Sequence, residues 1–222
     1  MNPWQIHRLS DYAIQPWHND QGHTREIMRE DNRSGTRFRW RLSMADVTHD
    51  APFSHYGGYQ RILSLLEGDG LALTIDGTPQ PMLHCGDIAR FSGDSRVTSQ
   101  LCDGTVRDLN LIYDPRHYGA RLQWLAIRPE MPPLRCHAST ILLFCREGAV
   151  TLTPLGAAKA LHLERYDSAT LITPVPRRIA WISVATASWG SSNSRHSRMR
   201  PPGLLMRTIR VRSQLCLLSF PF

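Results

Sequence analysis

Three arginines in the first half of the chain occupy separate segments that have the alternating pattern of β-strands. They are Arg25, Arg41 and Arg61. A guanidinium group is planar and presents a fork of N–H donors that matches the two oxygens of a carboxylate. If neighbouring strands bring these side chains together, they predict a binding site for a small anion. Three of their polar neighbours are further candidate ligand-binding residues: Thr24, Glu26 and Ser43.

An alternative for each arginine is an exposed position at a rim, paired with a carboxylate such as that of Glu26 or Asp108. Asp108 and Asn110 lie two residues apart in the segment 106–112, so a strand would place both on one face. An amide can donate and accept hydrogen bonds without the free-energy cost of burying a charge. The pattern therefore favours a ligand-binding position for Asn110 and a structural role for Asp108.

The common motifs of metal and nucleophilic catalysis do not occur in the sequence. There is no His-x-His pair, which would place two metal ligands on one strand face. There is also no Gly-x-Ser-x-Gly elbow. The five cysteines form no CxxC pair, so buried free thiols are their expected state. We predict no metal ion, no other cofactor and no catalytic residue.

The elements that must hold the candidate side chains are predicted to be β-strands. Residues 61–67 and 71–75 carry apolar side chains at alternate positions, and the turn Gly68-Asp69-Gly70 between them is typical of a hairpin. Turn residues recur at similar spacing through the first half and, more faintly, between 123 and 172. This rhythm predicts an all-β fold with a cavity in the first half and a scaffold role for the second.

Size and composition fit one large or two small soluble domains. The 222 residues are 41% apolar and 8% aromatic, which is enough to build a buried core. The first eleven residues lack the apolar stretch of a signal peptide, and no apolar run is long enough to span a bilayer. We therefore expect a cytoplasmic protein with no membrane partner.

The net charge of +7 comes from the last 49 residues. Residues 174–222 contain eight arginines and no acidic residue, while the rest of the chain is close to neutral. Three interpretations remain open: translation in a shifted reading frame, a basic arm that contacts nucleic acid, and a poorly patterned native strand region. The first is favoured because the acidic residues vanish abruptly. Nucleic acid is therefore not the favoured partner.

Four further segments carry a distinctive combination of residues. They are 17–27 (WHNDQGHTREI), 40–45 (WRLSMA), the pair 52–54 and 58–61 (PFS and GYQR), and 104–110 (GTVRDLN). Together they resemble the HutD/Ves family of bacterial cupin-like proteins, most of all its enterobacterial Ves branch. The resemblance covers residues 3–172.

The resemblance implies two cupin-like barrels of the RmlC jelly-roll type in one cytoplasmic chain. It also implies a link to histidine utilisation or stress, and binding of a small carboxylate such as formylglutamate with no established reaction. It adds Asn19, from the Trp-x-Asn motif at 17–19, to the candidate ligand-binding residues. The glycine-rich stretch that follows this motif in the family is here Asp20-Gln21 before Gly22.

The sequence thus predicts three regions: a first cupin-like barrel with the cavity at 1–114, a partial second barrel at 115–173, and an irregular basic tail at 174–222. The predicted function is non-catalytic binding of a small anionic carboxylate metabolite, and a homo-oligomer is left open. One alternative is a metal-independent isomerase or hydrolase that uses a buried carboxyl group such as that of Glu26 or Asp108. Another is an interaction protein whose tail contacts nucleic acid.

Overall fold

Strands account for nearly all of the described structure. A computed structural model of the chain describes residues 4–16, 22–128, 135–154, 159–186 and 214–220, without the side chains of 173–186. In these ranges the only helical element is a 3-10 turn at Leu9–Asp11, and the predicted all-β class is confirmed. The strands are β1 (Gln5–His7), β2 (Ala13–Pro16), β3 (Gly22–Asp31), β4 (Phe38–Val47), β5 (Ala51–Pro52), β6 (Gln60–Glu67), β7 (Leu71–Ile75), β8 (Thr78–Pro79), β9 (Ile88–Ser92), β10 (Val97–Leu101), β11 (Val106–Tyr113), β12 (Arg121–Ala126), β13 (Arg135–Glu147), β14 (Val150–Pro154), β15 (Leu161–Leu163), β16 (Ser168–Thr186) and β17 (Gln214–Phe220).

The strands form three sheets with antiparallel pairing. A six-stranded sheet has the order β2-β3-β4-β11-β6-β9, and a four-stranded sheet has the order β5-β10-β7-β8. A seven-stranded sheet has the order β12-β17-β13-β16-β14-β15, with β1 also paired to β16. None of the sheets formed by the described residues closes on itself. The prediction of two closed barrels is therefore not confirmed.

The two strands that flank the turn Gly68-Asp69-Gly70 belong to different sheets. Strand β6 pairs with β9 and β11, whereas β7 pairs with β8 and β10. The prediction of a hairpin between them is wrong, although the bounds of both strands were predicted closely. The turn instead carries the chain from one layer to the next. Gly68 has a φ of +107°, and a Cβ there would lie 2.6 Å from a methyl group of Val106, so only glycine fits this crossing.

The six-stranded sheet is the central layer, and its middle strands β4, β11 and β6 are buried on both faces. One face packs on the four-stranded sheet, where Leu63 of β6 belongs to the same apolar cluster as Leu73 of β7. The other face packs on the seven-stranded sheet, where the Trp40 ring stacks on the Phe220 ring at 5.2 Å between centroids. A third apolar cluster lies on the far face of β13 and β17, against β14 and β15. The central sheet is therefore held rigidly between two layers, as a binding site on it requires.

The structure differs from the sequence prediction within the supposed tail. Strand β16 continues through the predicted boundary at 173, and β17 (Gln214–Phe220) pairs with both β12 and β13. The expectation of an irregular segment is therefore wrong for residues 214–220, whose apolar side chains are buried. Residues 187–213 lie outside the described residues, so the basic arm and the shifted reading frame stay predictions.

Candidate functional site

A cavity of about 330 Å³ lies between the six-stranded and four-stranded sheets. Strands β4 and β11 form its floor, and β5 with the loop that follows it forms one wall. Five of the eight residues predicted to bind a ligand line this cavity. They are Thr24, Arg41, Ser43, Arg61 and Asn110.

The alternation of strand side chains explains how the floor is built. On β4, residues at every second position from Arg41 to Val47 line the cavity, and Leu42 and Met44 between them face the apolar core on the other side. Strand β11 is paired with β4 so that Asn110 lies opposite Ser43. Directly opposite residues share a face of the sheet, and this register therefore brings the polar residues of both strands together.

Three of the predicted residues are not part of the cavity as described. Arg25 lies opposite Met44 in the pairing of β3 with β4, which places it on the face away from Thr24 and the cavity. Glu26 lies opposite Ser43 in the same pairing, but it does not line the cavity. Its carboxylate lies 4.0 Å from the guanidinium group of Arg29. The structure therefore does not bring Arg25 or Glu26 into this cavity, and Asn19 lies outside the described residues.

Arg61 is buried among aromatic rings, and only 4% of its surface is exposed. Its guanidinium carbon lies 4.8 Å from the ring centroid of Phe53 and 5.0 Å from that of Phe91. One terminal nitrogen donates a hydrogen bond of 3.2 Å to the carbonyl of Ser54. Burial lowers the pKa of Arg61 to about 10, with the carboxyl of Asp108 acting in the opposite direction. The side chain therefore remains a cation at neutral pH, in surroundings that solvate it poorly.

Arg41 is held by the loop between β5 and β6. Its Nη2 donates to the hydroxyl of Tyr56 at 2.9 Å, and its guanidinium carbon lies 5.4 Å from the centroid of that ring. Gly93 fixes this loop, because its carbonyl accepts a 2.9 Å hydrogen bond from the Tyr56 N–H. A Cβ on Gly93 would lie 2.1 Å from the carbonyl oxygen of Tyr56. The turn after β9 thus approaches the loop closely and orients Tyr56, which the sequence analysis did not single out.

Asp108 lines the cavity as well, with 1% of its surface exposed. Burial raises the pKa of this carboxyl to about 7, Arg61 opposes the shift, and Asp46 adds to it. The sequence predicts a structural role for Asp108 and a ligand-binding position for Asn110 alone. The structure places both in the cavity, because residues two apart on β11 share a face. A buried carboxyl group with a pKa of about 7 is thus a feature of the site that the sequence alone did not reveal.

Four buried polar atoms of cavity residues have no hydrogen-bond partner within the protein. Two are donors, the Nε atoms of Arg41 and Arg61, and two are acceptors, the Oδ1 atoms of Asp108 and Asn110. A buried polar group without a partner costs about 1–3 kcal/mol. The cavity therefore combines unsatisfied donors and acceptors in one place, which is typical of a site for a polar molecule.

The part of the chain that the structure describes offers neither a metal-binding cluster nor a membrane-crossing helix. No group of three or more histidine, cysteine, aspartate or glutamate side chains there is arranged to hold a metal ion. In the same ranges, no helix has the length and apolar character that crossing a membrane requires.

The family of the chain follows from its similarity to known proteins. The HutD family model matches residues 9–182. The chain belongs to the HutD family. A relative described as an uncharacterized 21.2 kDa protein in the hutC 3′ region of Pseudomonas putida is 42% identical over 167 residues, which are 75% of this chain and 86% of that protein. Protein Ves of Citrobacter koseri is 35% identical over 98 residues, which are 43% of this chain and 50% of Ves. The resemblance to the HutD/Ves family is confirmed, whereas the likeness to Ves has a lower identity and a shorter span than the likeness to the Pseudomonas putida protein.

Solved structures agree with the assignment to the HutD family. HutD from Pseudomonas fluorescens SBW25, in a formate condition, has a TM-score of 0.72 at 30% identity, over 99% of this chain and 100% of that one. A cupin 2 conserved barrel domain protein from Leptotrichia buccalis has a TM-score of 0.50 at 11% identity, over 97% and 96% of the two chains. The second likeness concerns the fold alone. This HutD-family chain is therefore nearly all-β and cupin-like.

Asp108→Asn is expected to change how the stability of this HutD-family chain depends on pH. The pKa of Asp108 is about 7 in the folded protein, against an ordinary value of 3.8. The folded state therefore binds more protons than the unfolded state between about pH 4 and pH 7, and the free energy of unfolding falls as pH rises through this window. At about 1.4 kcal/mol per pKa unit, the whole loss is about 4 kcal/mol.

Denaturant unfolding of the parent and of Asp108→Asn across this pH range would measure the effect. The variant should gain stability relative to the parent from about pH 4 to pH 7, and the difference should then level off. Other groups titrate in both proteins and cancel in the comparison. A difference that does not change with pH would show that Asp108 is not the group responsible.

Proposed function

We propose that this HutD-family protein binds a small carboxylate metabolite in the cavity between its six-stranded and four-stranded sheets, and does not transform it. The observation that most supports this is the pair of arginines in one cavity, Arg41 on β4 and Arg61 on β6. Guanidinium groups recognise carboxylates through paired, charge-assisted hydrogen bonds. Ser43 and Asn110 on the floor offer further polar contacts.

The burial of Arg61 favours an anion as the molecule bound. Its positive charge is poorly solvated, and Arg41 adds repulsion that lowers the pKa of Arg61 further. The carboxyl of Asp108 offsets this only in part, because its own pKa is raised by burial. An anion next to both arginines would relieve the repulsion and supply the missing hydrogen bonds. A neutral or cationic molecule would not do both.

The size of the cavity favours a metabolite over a polymer. About 330 Å³ is at the lower end of the volumes typical of small-molecule sites, roughly 300–1,000 Å³. Phe53 and Ile112 supply apolar surface beside the charged groups, and such surface excludes water and strengthens the contacts of a carboxylate. The proposal therefore needs no nucleic acid, membrane or metal partner.

The biological role that we propose is the sensing or buffering of a carboxylate formed in amino-acid breakdown, in the cytoplasm. The support is the 42% identity to the protein from the hutC 3′ region of Pseudomonas putida, together with membership of the HutD family. The link of this family to histidine utilisation makes formylglutamate and urocanate the first acids to examine. A role in stress is the corresponding proposal from the likeness to Ves.

A second candidate function is a metal-independent isomerase or hydrolase, and one observation favours it. Asp108 is a buried carboxyl in the cavity with a pKa of about 7, which suits a general base or acid at neutral pH. Glu26, the other carboxyl considered for this role, does not line the cavity. Proton NMR of each bound acid with stoichiometric protein separates the two functions: conversion that Asp108→Asn abolishes, with binding retained, establishes the enzyme.

Binding is tested by thermal unfolding in the presence of formate, acetate, succinate, formylglutamate and urocanate. An acid at a hundred times its Kd should stabilise the folded state by about 2.7 kcal/mol and raise the Tm by roughly 5–10 °C. The matched controls are the uncharged amides of these acids, at equal ionic strength. The proposal fails if no acid shifts the Tm more than its amide does.

A further inference from the structure

The unpartnered polar atoms of the cavity are of two opposite kinds. The arginine Nε atoms can only donate a hydrogen bond, whereas an ionised Asp108 can only accept one. A bare carboxylate has acceptors alone, so it can satisfy Arg41 and Arg61 but not the Oδ1 atom of an ionised Asp108. An anion alone, as in the proposed function, therefore leaves one hydrogen-bond acceptor of the cavity without a partner.

Because of the position of Asp108, a simple acid without a hydrogen-bond donor binds at a cost in free energy. Asp108 and the two arginines line the same cavity, and Arg61 interacts electrostatically with both other groups. A carboxylate bound to the arginines would lie in the same cavity as the carboxylate of an ionised Asp108. That negative charge is already repelled by Asp46. Two like charges in a poorly solvated site repel strongly. A hydrogen-bond donor on the ligand, turned toward Asp108, would offset the repulsion and the lost solvation.

We infer that the natural ligand is a carboxylate that also carries an O–H or N–H donor, and that Asp108 accepts a hydrogen bond from this donor while Arg41 and Arg61 bind the acid group. The class consists of small hydroxy acids and amido acids. This inference rests on the proposed function and narrows it, because it assigns a specificity-determining role to a residue that anion binding alone does not require.

Asn110 supports the assignment from the same strand. Its Oδ1 atom is also buried without a partner, and it lies two residues from Asp108 on the cavity face of β11. A side-chain amide can turn its oxygen or its nitrogen toward a ligand. It therefore accommodates either the donor of the ligand or a carbonyl next to it. The discrimination between acids with and without a donor falls to Asp108, whose ionised carboxylate has no donor to offer.

Calorimetric titration with matched pairs of acids tests this inference. The pairs are glycolate and acetate, 3-hydroxypropionate and propionate, and 4-hydroxybutyrate and butyrate, which place the donor at three distances from the acid group. At pH 9, which is well above the pKa of about 7 for Asp108 and below that of Arg61, we expect at least one hydroxy acid to bind ten times or more tightly than its partner. In Asp108→Leu, which has a similar volume and no polar atom, this ratio should fall to about one. Asp108→Asn, which keeps a neutral acceptor, should fall between the two.

The outcomes separate this inference from the proposed function. If the members of every pair bind equally to the parent protein, the inference is overturned while carboxylate binding stands. If one hydroxy acid is preferred and Asp108→Leu retains the preference, the donor is recognised elsewhere and the inference is again overturned. If no acid of any pair binds, the proposed function fails together with the inference. Circular dichroism of both variants shows whether the fold is intact, and the ratio between two acids measured in one variant is independent of its stability.

Discussion

Truncation of the chain after residue 213 is expected to abolish the folding of its second half. The truncation removes strand β17 (Gln214–Phe220), which lies between β12 and β13 in the seven-stranded sheet. Among the described strands, β12 pairs only with β17. Without β17, strand β12 would lose its backbone hydrogen bonds to a neighbouring strand, and β13 would expose an unpaired edge.

The free energy at stake exceeds the stability of a typical domain. Five apolar side chains of β17 are at most 5% exposed, and they contribute to two of the three apolar clusters: Leu215, Cys216, Leu217, Leu218 and Phe220. Removing each buried side chain costs about 2 kcal/mol or more. The sum is about 10 kcal/mol, against about 5–15 kcal/mol for the whole stability of a folded domain.

Thermal unfolding followed by circular dichroism, together with size-exclusion chromatography, would measure the loss. We expect no cooperative transition from the second half, and aggregated material in place of a single species. A matched pair of point variants grades the effect: Phe220→Ala, at a fully buried position, should cost about 3–5 kcal/mol. Ser219→Ala, at a half-buried one, should change little. If the truncated chain unfolds at the Tm of the full chain, β17 contributes nothing to the stability of the fold. That result would be expected of a segment translated in a shifted reading frame.

The floor of the cavity was predictable because strand geometry has a period of two. Given strands at 38–47 and 106–113, alternation alone places Arg41 with Ser43, and Asp108 with Asn110, on common faces. The same rule shows why the prediction failed at Arg25. Thr24, Arg25 and Glu26 are consecutive, so they cannot all face one cavity. The same alternation brings Asp108 into the cavity beside Asn110, although the sequence predicts separate roles for them.

What the sequence could not predict depends on long-range pairing. The turn at 68–70 has the residues of a hairpin, but a local turn signal does not say whether the strands on its two sides join the same sheet. Strand β17 has an apolar pattern of its own, yet its partners β12 and β13 lie about 70 to 95 residues earlier. Nothing near residues 214–220 in the sequence indicates these partners. Charge composition, from which the tail was judged irregular, reports on solvation and not on pairing.

Arg61→Met is expected to abolish the binding of carboxylates while the protein stays folded. Removing one member of a buried, hydrogen-bonded charge pair costs about 2–5 kcal/mol of binding free energy, which corresponds to a loss of affinity of roughly thirty-fold to several thousand-fold. Methionine has a similar length and can pack against Phe53 and Phe91, the rings that now surround the guanidinium group. The pKa of Asp108 should rise further in the variant, because the charge that lowers it is gone.

Calorimetric titration of the tightest acid with Arg61→Met, and with Arg25→Met as the matched control, decides whether the cavity is the binding site. Arg25 carries the same charge but lies on the opposite face of the sheet from Thr24, so its removal should leave the Kd within about twofold. Both variants lower the net charge equally, and a loss of affinity in both would mean that general electrostatic attraction brings the acid to the protein. A loss in Arg25→Met alone would place the site on the other face of β3. Only a loss confined to Arg61→Met assigns recognition of the acid to the buried arginines between the two sheets.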